Sequence, residues 1–254
     1  MSHGSGGVRL AKYLTARTPL SRRDAEEAIL SGRVTVDHFT VETPVFFVSD
    51  KNSVSLDHCV VSAELPLPKL WCYHKPSGFL VTRKDPWKRK TIFSHLGELE
   101  KQHHRILYVG RLDKDSEGLL LLTTSSTLAS FLEHPRHAFI RQYHVTVTSP
   151  WSITETQKKL HHIEKGTVVH GIRYRPCHIK ILSSSLSEFH LHISVQEGKK
   201  REIRVLLRSV GIKVINLKRI AYGPFSLEKI APCRYKAVAP HIVQEILSQA
   251  HNTQ

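Results

Sequence analysis

The chain has 254 residues, with 37 Lys and Arg against 22 Asp and Glu, and its formal net charge at pH 7 is +15. Because hydrophobic residues make up 40% of the sequence, it can bury a core, which excludes a wholly disordered chain. The positive charge indicates a polyanionic partner, either nucleic acid or an anionic membrane surface. No apolar run approaches the roughly 18 residues of a membrane-spanning helix, so we expect no membrane span.

The positive charge is unevenly distributed along the chain. Residues 1–65 hold 7 basic residues (Lys and Arg) and 8 acidic residues (Asp and Glu). Residues 66–254 hold the remaining 30 basic and 14 acidic residues. The excess is densest in two stretches, 83–90 and 199–219. Dense basic clusters within apolar-patterned sequence favour a phosphate-binding surface over a solvated face. The sequence therefore predicts a nearly neutral N-terminal part and a larger part that binds a polyanion.

The N-terminal part is predicted to form two helices and a few short strands. Leu10 and Leu14, four residues apart, indicate the first helix. Ser21 and Asp24 form a capping-box pattern at the start of the second helix. Short strands are predicted at 34–36, 45–48 and 54–56.

Proline and composition indicate the domain boundaries. The stretch 63–69 contains two prolines and is typical of a stiff linker. We expect a disordered tail at 1–7, a compact module at 8–63, a linker at 64–69 and a second domain at 70–254.

The second domain has a mixed pattern of strands and helices. Leu119–Leu122 is wholly apolar and predicts a buried strand, and the alternation of 189–195 predicts a half-exposed one. Shorter strands are expected at 70–73 and 79–82. Residues 201–210 predict a helix with Arg201, Arg204 and Arg208 along one stripe.

The densest cluster of acidic residues admits several interpretations. Asp113, Asp115 and Glu117, followed by Gly118, imitate the start of a calcium loop, but its twelfth position is Thr124 rather than a bidentate Glu. Paired carboxylates of a two-metal nuclease are a second interpretation, although acids two residues apart in a turn diverge. A third is that a single acid matters, held just before a buried strand.

The cysteines and histidines do not form a metal-binding pattern. The four cysteines lie far apart with no C-x-x-C pair, which disfavours zinc and a disulfide framework and fits a reducing cytosol. Most of the 18 histidines are expected on the surface. We therefore predict no metal site and a cytoplasmic protein.

Three motifs follow one another within residues 8–45, namely R-L-x-K-Y-L, S-R-R-x-A-E-x-x-I and G-R-V-x-V. In order and spacing they resemble the S4 RNA-binding domain. The resemblance implies a helix pair that presents basic residues to structured RNA, and it assigns this role to Arg9, Lys12, Arg22, Arg23 and Arg33.

In the remaining chain, residues 110–123 read GRLDKDSEGLLLLT. This segment resembles the central motif of pseudouridine synthases of the RsuA/RluB/RluE/RluF type. Further matches are HKPSG at 74–78, HP at 134–135, RQYHV at 141–145, EGKKREIR at 197–204 and LKRIAYGP at 217–224. The resemblance implies an α+β fold, in which a small S4-type module precedes a catalytic domain with a central, mainly antiparallel mixed sheet flanked by helices.

The same resemblance implies the roles of individual residues. Asp113 corresponds to the catalytic aspartate, Tyr143 to the tyrosine that stacks on the target base, and Arg204 to the basic partner of the catalytic carboxylate. Arg111 corresponds to the arginine that fills the space left by the flipped nucleotide. The aspartate acts either as a nucleophile at C1′ or as a base at C2′, and the sequence leaves both open. Contacts to the RNA backbone are expected from Lys88, Arg89, Lys199, Lys200, Arg201 and Arg208.

The expected reaction converts a uridine of ribosomal RNA to pseudouridine without a cofactor. Glu202 stands where many members carry Gln, and this form is closer to RluB-like enzymes, which favours large-subunit RNA. A small-subunit RNA enzyme and a non-catalytic ribosome-assembly factor remain alternatives. The expected partner is ribosomal RNA or a pre-ribosomal particle, bound by a monomer with no role for a membrane.

Overall fold

The computed structural model describes residues 7–64, 67–103 and 105–251, except for the side chains of residues 250 and 251. The chain divides into two compact units, residues 1–68 and 69–254. Residues 1–6 of the predicted tail and residues 65 and 66 of the predicted linker lie outside the described residues.

The described part of the N-terminal unit contains two helices and six short strands. They are β1 (Val8–Arg9), α1 (Leu10–Arg17), α2 (Arg22–Leu30), β2 (Val34–Val36), β3 (Phe39–Thr40), β4 (Phe47–Val48), β5 (Val54–Leu56) and β6 (Cys59–Val60). Four strands form an antiparallel sheet in the order β3-β2-β5-β6, and β1 pairs with β4.

Local sequence explains the start of α2. Ser21 Oγ accepts a hydrogen bond from the Asp24 backbone N–H, and the Asp24 carboxylate accepts one from the Ser21 N–H. This reciprocal pair satisfies two helix N-terminal donors, as the capping-box pattern predicts. One apolar core then joins both helices to the sheet through residues such as Leu10, Leu14 and Ile29.

The C-terminal unit contains five helices and eleven strands in the described chain. They are β7 (Leu70–Lys75), α3 (Gly97–Gln102), β8 (Leu107–Val109), β9 (Glu117–Thr123), α4 (Ser126–Glu133), β10 (Arg141–Thr148), α5 (Ile153–Glu164), β11 (Thr167–Val169), β12 (Ile172–Tyr174), β13 (His178–Ser184), β14 (Glu188–Val195), α6 (Glu202–Ser209), β15 (Lys213–Tyr222), β16 (Phe225–Ser226), β17 (Tyr235–Ala237) and α7 (Pro240–His251).

Among the described residues of the C-terminal unit, nine strands form the central sheet. Seven follow the order β13-β14-β10-β15-β9-β7-β17, while β16 pairs with β15 and β8 with β9. All named strand pairs of this sheet are antiparallel except β15 with β9. The predicted α+β class with a mainly antiparallel mixed sheet is confirmed.

The apolar strand β9 is buried on both sides. Leu120 and Leu122 belong to one apolar core, whereas Leu119 and Leu121 belong to the other. Successive side chains of a strand point to opposite faces, so a sheet covered on both faces requires a continuous apolar run. The predicted strand at 119–122 is therefore confirmed, with its physical reason.

Two predicted elements differ from the structure. Residues 79–82 do not form a strand: Leu80 makes only an isolated bridge with Thr91, so the prediction was wrong. Helix α6 begins at Glu202, and Arg201 before it adopts a left-handed backbone with φ of 54°. Arg201 therefore does not continue the helical stripe of Arg204 and Arg208. Across the described residues, no helix is both long and apolar enough to cross a membrane.

Candidate active site

A cavity of about 670 Å³ opens where the loop before β9 faces strands β10 and β15 and the segment before α6. Its lining includes seven basic and four acidic residues. Of the residues predicted from the sequence, it brings together Arg111, Asp113, Tyr143, Lys199, Lys200 and Arg201.

A short turn presents Asp113 to this cavity. The Ser116 backbone N–H donates to the Asp113 carbonyl at 3.1 Å, which closes the turn just before the buried strand β9. The Asp113 side chain is 33% exposed. A carboxylate on a rigid turn with partial solvent access is suited to attack a bound substrate or to accept its proton.

Two arginines hold the turn from the start of α6. Arg201 forms a bidentate pair with the Asp115 carboxylate at 3.0 Å to each oxygen, and its Nη1 lies 3.5 Å from Asp113 Oδ2. Arg204 donates to the Asp115 carbonyl at 2.9 Å and lies 3.4 Å from its carboxylate. The hydrogen bond from Arg201 and the charge of Arg204 hold the pKa of Asp115 below its ordinary value.

The pairing implied by the family resemblance is thus altered in this structure. Among the described residues, the cation within 4 Å of the Asp113 carboxylate is Arg201, whereas Arg204 is engaged by Asp115. The left-handed backbone of Arg201 takes it out of the helical stripe, and its guanidinium then spans both carboxylates of the turn.

Lys75 ties the same turn to the end of β7. Its side chain is wholly buried, and its Nζ donates to the carbonyl oxygens of Ser116 at 2.6 Å, Pro76 at 3.0 Å and Lys114 at 3.4 Å. Burial lowers the pKa of Lys75 to about 8, although the nearby carboxylates act in the opposite direction. A buried ammonium with three carbonyl acceptors restrains the turn that carries Asp113.

Tyr143 and Arg219 form one wall of the cavity. They are cross-strand partners on β10 and β15, so their side chains share a face of the sheet. Arg219 is 2% exposed, and its Nε donates to the Leu119 carbonyl at 2.7 Å. Its buried Nη2 has no hydrogen-bond partner within the described chain. The wall combines an aromatic ring with a fixed cation.

A pair of glutamates orders the segment before α6. Glu202 is buried, hydrogen-bonds to Glu197, and accepts the Lys199 backbone N–H at 3.1 Å. Glu197 accepts the Arg175 backbone N–H at 2.7 Å and contacts the Lys199 ammonium. Burial and the charge of Glu197 raise the pKa of Glu202 to about 7. A protonated Glu202 donates a hydrogen bond as the amide of Gln does.

All twelve residues predicted to bind RNA are exposed, but their charges differ in availability. Arg22 pairs with Glu26, Arg33 with Asp57, and Arg89 with Asp85. Lys199 is engaged by Glu197. Arg9 lies over the Phe47 ring. Within the described residues, no ion pair involves Lys12, Arg23, Lys88, Arg111, Lys200 or Arg208.

Sequence reasoning gave no role to Lys75, Arg219 or Glu197. Lys75 could have been noticed because it ends an apolar strand and precedes a proline. Arg219 could have been noticed because it lies two residues after the buried Leu217 and therefore on the same face of the strand. Glu197 carries no comparable signal. In the part of the chain that the structure describes, no group of three His, Cys, Asp or Glu side chains is arranged to hold a metal ion.

Comparisons with known proteins agree with one another. The model of the RNA pseudouridylate synthase family matches residues 69–209. An uncharacterised RNA pseudouridine synthase of Rickettsia felis is 38% identical over 237 residues, covering 93% of this chain and 99% of the relative. The ribosomal large subunit pseudouridine synthase B of Vibrio cholerae is 33% identical over 227 residues, covering 88% and 69%. A solved pseudouridylate synthase shares the fold, with a TM-score of 0.64 at 20% identity over 94% of this chain and 99% of that one.

Proposed function

The chain belongs to the RNA pseudouridylate synthase family, and from this premise we propose that it isomerises a specific uridine of large-subunit ribosomal RNA. The names of relatives such as the Vibrio cholerae protein support this choice of RNA. We propose residues 8–63 as an S4-type RNA-binding domain and residues 70–254 as the catalytic domain, joined by a linker at 64–69. The proposal further includes a cytoplasmic monomer, for which the four dispersed free cysteines fit a reducing compartment.

Asp113 is the proposed catalytic residue. The reaction breaks the C1′–N1 bond, turns the base and joins C1′ to C5, so atoms and electrons balance without a redox partner. Asp113 either attacks C1′ or removes the C2′ proton, and both roles need its ionised form. The observation that carries the proposal is this partly exposed carboxylate on a braced turn, in a basic cavity beside Tyr143 and 3.5 Å from Arg201.

The other cavity residues receive supporting roles. The target nucleotide must leave its stack at a cost of a few kcal/mol, which a stacking aromatic ring and a filling side chain offset. We assign the stacking to Tyr143 and the filling to the exposed Arg111. Arg201 stabilises negative charge on Asp113, and Arg204 acts through Asp115 as a positioning residue. Lys200 and Arg208 contact the RNA backbone.

Tritium release tests this proposal. Joining C1′ to C5 displaces the hydrogen at C5, so 5-tritiated uridine in a transcript releases tritium on conversion. We expect the wild type to release tritium from large-subunit transcripts, and Asp113→Asn to lower the rate at least about 1,000-fold while RNA affinity stays within a few-fold. Asp50→Asn, a surface acid with an 83% exposed side chain, serves as the matched control.

Each alternative has its own outcome. Release only from small-subunit transcripts would move the target to the other ribosomal subunit. No release from any ribosomal transcript, with tight RNA binding, would instead support a non-catalytic assembly factor. Full activity of Asp113→Asn would remove Asp113 from the mechanism.

A further inference from the structure

The three tryptophans of the chain lie in different environments. Trp71 is buried in the core, and Trp151 donates its indole N–H to the Val210 carbonyl at 3.3 Å. Trp87 is 73% exposed, and no hydrogen bond of its indole N–H is present in the described chain. It lies in the segment 83–90, which we call the basic loop. The fold therefore makes little use of this side chain.

The basic loop nevertheless holds Trp87 in a defined position. The Asp85 carboxylate, only 5% exposed, accepts the Arg89 backbone N–H at 2.7 Å and also pairs with the Arg89 guanidinium at 2.6 Å. The Arg89 guanidinium lies over the Trp87 indole, 4.7 Å from the ring centroid. The Asp85 carboxylate already neutralises the charge of the Arg89 guanidinium. The main remaining contact of this guanidinium is with the Trp87 ring. Arg89 is thus better suited to support the indole than to bind a phosphate, the role predicted from the sequence.

Three lysines lie within three residues of Trp87 along the chain. Lys84, Lys88 and Lys90 are all exposed, and within the described residues none has a carboxylate within 4 Å. Exposed aromatic rings among free cations are the combination with which proteins bind single-stranded nucleic acid, because bases stack on the ring while the cations contact the backbone. A single exposed tryptophan without neighbouring cations would not indicate a nucleic-acid contact.

The segment that leads into the basic loop contacts the turn of the candidate active site. The Gly78 backbone N–H donates to the Lys114 carbonyl, next to Asp113, at 2.7 Å. Two residues later, Leu80 donates to the Lys90 carbonyl and accepts from the Ile92 N–H, each at 3.0 Å, which closes the two ends of the loop. The ends of the loop are therefore held at Leu80, two residues along the chain from the contact with the Asp113 turn.

We propose that Trp87 is a stacking site for an unpaired RNA base that flanks the target uridine, with Arg89 as its positioning residue. This inference rests on the proposed function, since it takes the ligand to be the RNA substrate. It goes further in assigning a second base-binding site outside the cavity, and in requiring an unpaired nucleotide near the target.

The experiment compares two ten-nucleotide probes, a single-stranded RNA of mixed sequence and an abasic backbone of the same length and charge. Wild type, Trp87→Ala, Trp87→Phe and Lys88→Ala are titrated with each probe at several salt concentrations. We expect Trp87→Ala to weaken binding of the base-bearing probe about 5- to 100-fold and to leave the abasic probe unaffected, with an unchanged salt slope. Trp87→Phe keeps most of the affinity, because a phenyl ring still stacks.

Lys88→Ala is the matched control for a phosphate contact in the same loop. It should weaken both probes alike and lower the slope of log affinity against log salt by about 0.7. The proposal is overturned if Trp87→Ala binds the base-bearing probe as the wild type does, or if it weakens both probes equally. Thermal unfolding of Trp87→Ala at the wild-type temperature shows that the protein is folded.

Tritium release from ribosomal transcripts separates this inference from the proposed function. With both correct, Trp87→Ala raises KM and keeps kcat at saturating RNA, because Trp87 binds a base that does not react. A wild type that releases no tritium refutes the proposed function, whatever the probes show. A wild type that is active, with unchanged probe binding in Trp87→Ala, refutes only the stacking site.

Discussion

The two units of the molecule place their charges in opposite ways. Among the described residues of the N-terminal unit, those that are buried as whole residues are apolar or Tyr13, and ion pairs such as Arg22–Glu26 and Arg33–Asp57 lie at the surface. The Arg17 side chain, which pairs with the exposed Asp50, is 8% exposed. All buried polar and charged residues of the described chain, including Lys75, Glu202 and Arg219, belong to the C-terminal unit. Exposed pairs contribute about 0–1 kcal/mol, whereas burying an ionised group costs several kcal/mol.

From this difference we predict two kinds of contact with RNA. An exposed ion pair exchanges a carboxylate for a phosphate at little cost, so the N-terminal cations are suited to reversible binding. The C-terminal unit buries charged groups around one cavity although this costs free energy, and such an arrangement is typical of an active site. Substitutions that remove a buried charge should therefore change activity or pH dependence, and those that remove a surface charge should change only affinity.

Among the substitutions that test this difference between the two units, Lys75→Met should have the largest effect, because it keeps the shape of the side chain and removes its ammonium. The carbonyls of Pro76, Lys114 and Ser116 then lose their donor, and the turn that carries Asp113 loosens. Because a misplacement of about 1 Å costs roughly 100-fold in rate, we expect kcat to fall about 100-fold. The free energy of unfolding should fall by about 1–3 kcal/mol, because the carbonyls lose their donor, while removal of the buried charge offsets part of this loss.

Tritium release and thermal unfolding check this prediction together. Lys158→Met, at an exposed position of α5, is the control and should leave both unchanged. An unchanged kcat in Lys75→Met, or a loss of activity explained by unfolding, would contradict a specific role in holding the turn.

The next effect concerns the pH dependence of stability. The pKa of Glu202 is about 7 in the folded protein, above its ordinary 4.5, because of burial and Glu197. The unfolded chain releases this proton at lower pH, so the free energy of unfolding falls as pH rises from about 4.5 to 7, by at most about 3 kcal/mol. Glu197, whose pKa is lowered, changes the free energy of unfolding only below about pH 4.5, where its stabilising effect is lost, so it leaves the fall due to Glu202 in place.

Glu202→Gln should remove that fall, because the amide carries no titrating proton and still donates to Glu197. Denaturant unfolding at pH 5, 6, 7 and 8 measures the free energy for both proteins. The curves should meet near pH 5 and diverge above it, with the substituted protein more stable at pH 8. Parallel curves across this range would show that the glutamate pair does not titrate there.

The smallest effects are expected at the surface of the N-terminal unit. Lys12→Ala and Arg23→Ala each remove an exposed cation without an ion pair in the described chain, so each should weaken binding of structured ribosomal RNA about 2- to 5-fold at low salt. Arg33→Ala should cost less, because Asp57 already neutralises its charge. Filter binding at several salt concentrations measures this order, with Lys51→Ala as the control. A loss of kcat in any of these proteins would contradict the separation between the two units.

Sequence reasoning predicted those features that depend on near neighbours. The capping box of Ser21 and Asp24 and the apolar strand 119–122 follow from spacing alone, and both are confirmed. The family resemblance brought Asp113 and Tyr143 to attention, and the structure places both at one cavity.

Features that depend on distant partners could not be predicted. Lys75 meets the carbonyl of Ser116 across 41 positions, and Arg201 meets Asp115 across 86. The left-handed backbone of Arg201 belongs to a residue type that rarely adopts it, so a helical periodicity argument assigned it to α6. Buried charge follows no simple pattern, because its partners are mostly backbone groups that every residue carries.

The parallel pairing of β9 with β15 has a consequence for the order of folding. The two strands approach closely at Gly118, where a Cβ atom would lie 2.2 Å from the Arg219 carbonyl oxygen. The Arg219 side chain donates to the Leu119 carbonyl, which is 100 positions earlier in the chain. Contacts of such sequence separation form late, because a long loop must close before they are made. The ribosome releases the Asp113 turn about 100 residues before its neighbouring strand, so a nascent chain cannot assemble the cavity. Competence to act on RNA therefore arrives only after β15 has left the ribosome.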